Sequence, residues 1–312
     1  MNVKTIFLYY TLILMIGCQE MTKPVEIQSG YIEINEANHY YNLTGSGDTL
    51  VILHGGPGFS HKYLKPQIDS LLSSKLTLLY YDQRGSGWTN GEKDSIRLNI
   101  ETYVEDLEQL RKYFNLKKFN LLGHSFGGLL GMQYAIKYPE NVSSLILVDP
   151  DAASFELRTP YQIKMINSRL TEEQEEYLDS LEHTEKFESL EVSVYEKYYR
   201  SYLTTYFSNP LDTANLILGF DSISIPKIST TNKTVRDQLG AYDIHNELST
   251  ITCKTLIMQG TESVFSIEGA MAINQRIPLS EIHLFENCGH FEYIESPSKF
   301  KRLILNFYDL HE

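Results

Sequence analysis

Cysteine is scarce in this 312-residue chain, and clustered histidine is absent. The three cysteines, Cys18, Cys253 and Cys288, form no CxxC pair, HExxH does not occur and the nine histidines are scattered, so the sequence carries no metal signature. Basic residues are outnumbered, 27 Lys and Arg against 40 Asp and Glu, for a formal charge of −13. Phosphate binding is driven by clustered Lys and Arg, which argues against a nucleic-acid partner. Also missing is an apolar run of the about 20 residues needed to span a bilayer. What remains is ample for one sizeable core with room for an inserted subdomain, without internal repeats or low-complexity tracts.

The N-terminus, MNVKTIFLYYTLILMIGCQE, sets Lys4 ahead of a short apolar run from Ile6 to Gly17. That pattern reads as a secretory signal over residues 1–17, and its removal, with Lys4 as its one charge, brings the net charge to −14. Met15-Ile16-Gly17-Cys18 resembles the lipobox of bacterial lipoproteins, which implies lipidation of Cys18, a tether over residues 18–29, and an exported protein held to a cell-envelope membrane only by that anchor. Export raises the question of a Cys253–Cys288 disulfide. Cys253 enters one apolar run and Cys288 leaves another, so in parallel strands they sit about 20 Å apart at ~3.3 Å per residue. A disulfide needs Cα atoms within roughly 7 Å, so both are expected to be free thiols.

Two alternating segments, residues 30–35 and 39–45, flank Glu36-Ala37-Asn38 and read as a hairpin. After them the pattern changes to short apolar runs: LVILH (50–54), LTLLYYD (76–82), FNLLG (119–123), LILVD (145–149), TLIMQG (255–260) and IHLFE (282–286). Runs of this kind are buried on both faces, and those between helical stretches at 101–114 and 129–138 make a parallel α/β sheet. SKFKRLILNFYDL closes the chain as a further helix. The alternation stops over residues 151–245, where long polar helices intervene, so this block reads as a helical cap inserted into a sheet domain made of 30–150 and 246–312. Residues 172–197 hold ten acids against Lys186 and Lys197 and read as a solvated helical face.

GHSFGG, residues 123–128, follows one strand and opens a helix. A turn that sharp brings helix against strand, and glycines at 123 and 127 remove side chains that would collide. It lifts the Ser125 hydroxyl above the sheet at a helix N-terminus, where the dipole and the Phe126 N–H favour negative charge. A nucleophilic serine needs a base, and Asn287-Cys288-Gly289-His290-Phe291 puts His290 on a loop at the same carboxyl edge of the sheet. Developing oxyanion charge needs a second donor, for which His54-Gly55-Gly56-Pro57-Gly58 offers Gly55 or Gly56.

HGGPG, DQRGSG (82–87), GHSFGG and NCGHF, in that order, resemble α/β-hydrolase-fold serine hydrolases, specifically the proline iminopeptidase-like aminopeptidases of peptidase family S33. The resemblance covers roughly residues 30–310 and includes a YxxYYxxYL texture in the cap. It implies an α/β-hydrolase fold with a mostly parallel sheet, no cofactor, Ser125 as nucleophile, His290 as base, and Phe126 with Gly55 or Gly56 as the oxyanion hole. Asp82 and Arg84 would brace the loop rather than react. The implied substrate is a short peptide losing its N-terminal residue, or alternatively a small ester.

Two positions depart from the family pattern. Its GxxD acid falls on Gly260-Thr261-Glu262-Ser263, so a hydroxyl occupies the Asp slot, and the acid is Asp149, Glu262 or neither. A chain with neither would be a catalytically weak binding lipoprotein. The family's GPxEF, whose carboxylate helps hold the substrate amine, falls on Gly219-Phe220-Asp221-Ser222-Ile223, leaving Asp221 as the nearest acid for that role.

Overall fold

The structure is a computed structural model that describes residues 28–90 and 97–311. The expected signal segment, Cys18 and all of the tether before Gln28 lie outside the described residues. A hairpin of β1 (Gln28–Ile34) and β2 (Ala37–Gly45) leads into β3 (Thr49–Leu53), α1 (Lys65–Leu72), β4 (Thr77–Tyr81), α2 (Ile100–Tyr113), β5 (Phe119–His124), α3 (Phe126–Lys137) and β6 (Val142–Val148). Next come the helices α4 (Phe155–Arg169), α5 (Glu172–Glu182), α6 (Glu185–Glu188), α7 (Val192–Tyr202) and α8 (Ile225–Leu239). β7 (Lys254–Gly260), α9 (Ile267–Asn274), β8 (Ser280–Phe285), α10 (Glu292–Glu295) and α11 (Pro297–Phe307) complete the chain.

The eight strands form one sheet in the order β1-β2-β4-β3-β5-β6-β7-β8. β1 and β2 pair antiparallel, β2 pairs antiparallel with β4, and every other pairing is parallel. The hairpin turn is tighter than the sequence suggests. Ile34 pairs with Ala37, and the two turn residues, Asn35 and Glu36, have φ of 47° and 67°. Positive φ at both positions matches the twist of the flanking strands, so a two-residue turn wins over a three-residue one.

Alternation along each strand splits its residues between two cores. Val51, Leu53, Leu121, Leu145 and Ile257 face a layer with α2, α3 and α9, whereas Leu50, Ile52, Leu122, Ile146 and Leu256 face a layer with α1 and α11. Each such buried aliphatic side chain stabilises by about 1.5–3 kcal/mol. With helices on both faces, the carboxyl ends of the strands are left to carry a site. The acidic stretch is a solvated face, α5 burying only Leu178. Cys253 and Cys288 are buried free thiols.

Candidate active site

Ser125 forms the link between β5 and α3 with φ 58° and ψ −124°. A non-glycine residue held in such a conformation costs on the order of 1–3 kcal/mol, so packing has to enforce it. Packing does: a Cβ on Gly123 would lie 2.3 Å from Gly127 O, and one on Gly127 would lie 2.1 Å from Leu53 O. Ser125 is thereby placed on the wall of a cavity of about 420 Å³, with Phe126 as the first residue of α3. The Phe126 N–H has no acceptor within the helix and is available to an anion.

His290 lines the same cavity from the loop after β8, its backbone N–H donating to Tyr206 O at 2.8 Å. Its Nδ1 lies 2.7 Å from Oδ1 of Asp149, the residue that follows β6, and Asp149 is fully buried. Ser263 Oγ donates to the same Oδ1 at 2.5 Å, while Gly260 N and Gln259 Nε2 each donate to Oδ2 at 3.1 Å. These donors fix the carboxylate, so the Nδ1–H of His290 points at it and Nε2 is left for Ser125. No direct hydrogen bond joins Ser125 to His290, a separation common before substrate arrives. Ser263 in the Asp slot thus supplies a hydrogen bond to the acid instead of the acid itself.

Glu262 does not reach His290. Its exposed carboxylate accepts from Ser208 Oγ at 3.0 Å, because adjacent residues of this turn point apart and it is Ser263 that turns inward. The Gly55 N–H does not face the cavity unpaired. It donates to Tyr63 Oη at 2.7 Å, whereas Gly56 is a residue of the cavity wall.

The Tyr63 hydroxyl extends into a relay that motif reading missed. His124 Nε2 lies 2.9 Å from the His290 carbonyl and must donate to it, so His124 Nδ1 accepts from Tyr63 Oη at 2.7 Å. The chain runs from the Gly55 N–H through Tyr63 and His124 to the histidine loop. Burial, with the nearby His290, holds His124 well below the usual imidazole range, so the ring stays neutral and keeps one donor and one acceptor. The variable position of GHSFGG gives the only sequence signal for this role.

Within DQRGSG it is Gln83 that holds the glycine loop, through His54. Gln83 N donates to His54 Nε2 at 3.1 Å and Gln83 Nε2 to His54 O at 2.8 Å, while burial lowers His54 to about 4. Asp82 accepts from His61 Nδ1 at 2.8 Å and Trp88 N at 2.8 Å, and Arg84 makes a two-pronged pair with Asp106 at 2.8 and 2.9 Å. A second unforeseen group is Glu292, fully buried at the start of α10 and within hydrogen-bond reach of Asp149. Burial, then the Asp149 charge, push it well above the usual carboxylate range, so it is a neutral acid behind the His290 loop.

The stretch between β6 and β7 supplies aromatic walls, Tyr198, Tyr202 and Tyr206 among them, and Phe265 meets the His290 ring edge-on at 5.0 Å. Asp221 stands apart from this cavity. Its Oδ2 accepts from Lys62 Nζ at 2.6 Å and Trp88 Nε1 at 2.7 Å, so it has no free valence for a substrate amine.

Residues 48–297 match a family model described as the alpha/beta hydrolase fold. A proline iminopeptidase of Saccharolobus solfataricus is 31% identical over 299 residues, spanning 91% of this chain and 93% of that protein. Among solved structures, VinJ superposes with a TM-score of 0.71 at 20% identity over 91% of this chain and 99% of its own, and a proline iminopeptidase of Mycobacterium smegmatis with 0.69 at 20% over 90% and 98%. With a family match across most of its length and the Ser125, His290 and Asp149 side chains gathered at the carboxyl edge of its sheet, the chain belongs to the alpha/beta hydrolase fold family and is a hydrolase.

Proposed function

We propose that the protein is a serine hydrolase working by acyl transfer, releasing N-terminal residues from short peptides. The observation that carries it is the 2.7 Å contact between Asp149 and His290 on a cavity shared with Ser125. His290 Nε2 takes the Ser125 proton as Oγ attacks the scissile carbonyl, and Asp149 stabilises the imidazolium that results. The N–H groups of Phe126 and Gly56 hold the oxyanion. His290 then returns the proton to the leaving amine, and water, deprotonated by the same ring, releases the acyl group from Ser125. The peptidase assignment draws on the relatives, which are named proline iminopeptidases.

A second reading, hydrolysis of small carboxylic esters, is favoured by one feature of the cavity. Among the described residues no Asp or Glu lines it, and Asp221 is already engaged, so nothing there pairs with a free amine. The reading of a weak binding protein loses its motive, since Asp149 supplies the carboxylate that Ser263 lacks. We also propose anchoring through lipidated Cys18, on the strength of Lys4, the apolar run and the lipobox-like sequence; loss of lipid labelling in Cys18→Ala tests it.

Turnover of proline and alanine arylamides against short-chain aryl esters separates the first two readings, with Ser125→Ala as control. Covalent labelling of Ser125 by a fluorophosphonate is expected in either case. Absence of both labelling and turnover would overturn the hydrolytic mechanism, and equal rates for free and amine-blocked arylamides would overturn the aminopeptidase.

A further inference from the structure

Two arginines stand in the wall of the cavity, Arg158 from α4 and Arg236 from α8. They share one carboxylate: Asp151, fully buried, receives Arg236 Nη1 at 2.5 Å and faces Arg158 Nε at 3.2 Å. The cluster is fastened to the nucleophile, since Asp151 N donates to Ser125 O at 3.0 Å. Arg236 also holds the glycine loop, donating from Nη2 to Gly56 O at 3.1 Å, and its guanidinium lies 5.3 Å from the Phe126 ring centroid. Arg158 lies on the other flank, 5.6 Å from the ring of Phe265, which packs against His290.

Both side chains are mostly buried, at 12% and 18% exposure. Between them they find three hydrogen-bond acceptors, Asp151 Oδ2, Thr159 Oγ1 and Gly56 O, with Asp151 Oδ1 only in ion-pair range of Arg158, fewer than the N–H groups two guanidiniums carry. Two positive charges against the one negative charge of Asp151 behind them leave a single uncompensated charge on a wall that itself holds no Asp or Glu among the described residues. Burial and the neighbouring Arg158 lower Arg236 despite the pull of Asp151, whereas, despite burial, Asp151 holds Arg158 above its ordinary value, so Arg158 is the one that stays firmly cationic.

We propose that this cavity selects substrates bearing a carboxylate near the scissile bond, bound at Arg158 and balanced by the Arg158–Asp151–Arg236 cluster. The inference rests on Ser125 chemistry and names its substrate class. Arg158 stands on the His290 flank, where the leaving group departs, so the carboxylate belongs to the leaving group, as at the free C-terminus of a dipeptide. Planar two-pronged recognition is what a guanidinium offers a carboxylate and an ammonium does not.

The test compares 4-carboxyphenyl acetate with its methyl-ester-capped analogue, and p-nitrophenyl hemisuccinate with p-nitrophenyl butyrate. A kcat/KM preference of at least tenfold for the anion is expected in the first pair and not the second. The reverse pattern would move the carboxylate to the acyl side, and no preference in either would overturn the proposal. Arg158→Met is expected to shrink the anionic-to-neutral ratio 10- to 100-fold and Arg158→Lys to shrink it less; an unchanged ratio in folded Arg158→Met overturns the assignment. Should Ser125 prove unreactive, binding of 4-nitrobenzoate against methyl 4-nitrobenzoate to Ser125→Ala still reads the site. Tighter binding of the acid supports it, and equal binding refutes it.

Discussion

Replacing Asp149 by Asn keeps size and changes one atom's hydrogen-bonding character, and the surrounding donors decide the outcome. Oδ2 faces two N–H donors, of which Gly260 N is backbone and cannot turn away. The Asn carbonyl must therefore take the Oδ2 place, and its NH₂ the Oδ1 place, 2.7 Å from His290 Nδ1 and 2.5 Å from Ser263 Oγ. The Ser263 hydroxyl can rotate to accept, but His290 must accept as well, which forces its proton onto Nε2. That tautomer cannot take the Ser125 proton. The same exchange in a serine protease triad lowers kcat on the order of 10⁴-fold, about 5 kcal/mol at 1.36 kcal/mol per decade. Asp149→Asn is accordingly expected to lose about that factor in the kcat for a p-nitrophenyl ester. Glu262→Gln, whose carboxylate touches only Ser208, should stay within twofold, roughly 0.4 kcal/mol. A loss below tenfold for Asp149→Asn, or an equal loss for Glu262→Gln, would refute this account of the acid.

Tyr63→Phe removes both the acceptor of the Gly55 N–H and the donor to His124, and an unpaired buried donor costs about 1–3 kcal/mol. If that strain falls on the transition state, kcat drops on the order of 10- to 100-fold with KM little changed; an unchanged kcat would show that the relay does not position the glycine loop. Glu292 has a folded pKa above its unfolded value, so above the unfolded pKa of about 4.3 the native state holds a proton the denatured chain has lost, and stability falls as pH rises. Asp149, Glu295, Cys288 and Tyr293 are titratable groups around it. Glu292→Gln should flatten that slope by up to about 1.4 kcal/mol per pH unit in denaturant titrations between about pH 5 and 8, and parallel slopes would contradict the buried acid. Asp221→Asn breaks a half-exposed pair with Lys62, worth about 1 kcal/mol or less, and should leave the ratio of free to amine-blocked arylamide turnover unchanged; a fall of tenfold would return Asp221 to the substrate site.

The strands were legible because two-sided burial writes itself as unbroken apolar runs, and the sheet follows from them within a residue or two of each observed strand except β6, which begins three residues earlier, at Val142, through the polar Ser143 and Ser144. GHSFGG was legible for a steric reason, since only glycine fits where Cβ atoms would lie 2.1–2.3 Å from backbone oxygens. Ser125 and His290 could be named because each follows a strand at the same edge. The acid could not, because Asp149 and Glu262 both sit beside that edge, and only the direction of the Glu262–Ser263 turn separates them. Arg158 and Arg236 were invisible for a different reason: a lone arginine on a polar helix looks like any solvated residue until packing brings two of them onto one buried aspartate.

The displaced acid has a simple geometric cause. β6 and β7 are parallel neighbours, with Val148 opposite Met258, so the residue after β6 lies beside Gln259 and Gly260 at the end of β7. A carboxylate from either strand end can therefore face Nδ1 of His290. When β6 supplies it, the β7 loop has room for a small donor at 263 and no use for a second charge, since two carboxylates within hydrogen-bond reach cannot both ionise cheaply. Ser263 is what such a site requires. The same constraint bears on Glu292: packed behind the His290 loop near Asp149, it is held well above the usual carboxylate range and remains there as a neutral acid. One negative charge is thus kept beside the imidazole that must become positive, while the surplus positive charge of the Arg158–Asp151–Arg236 cluster stands on the substrate side of Ser125.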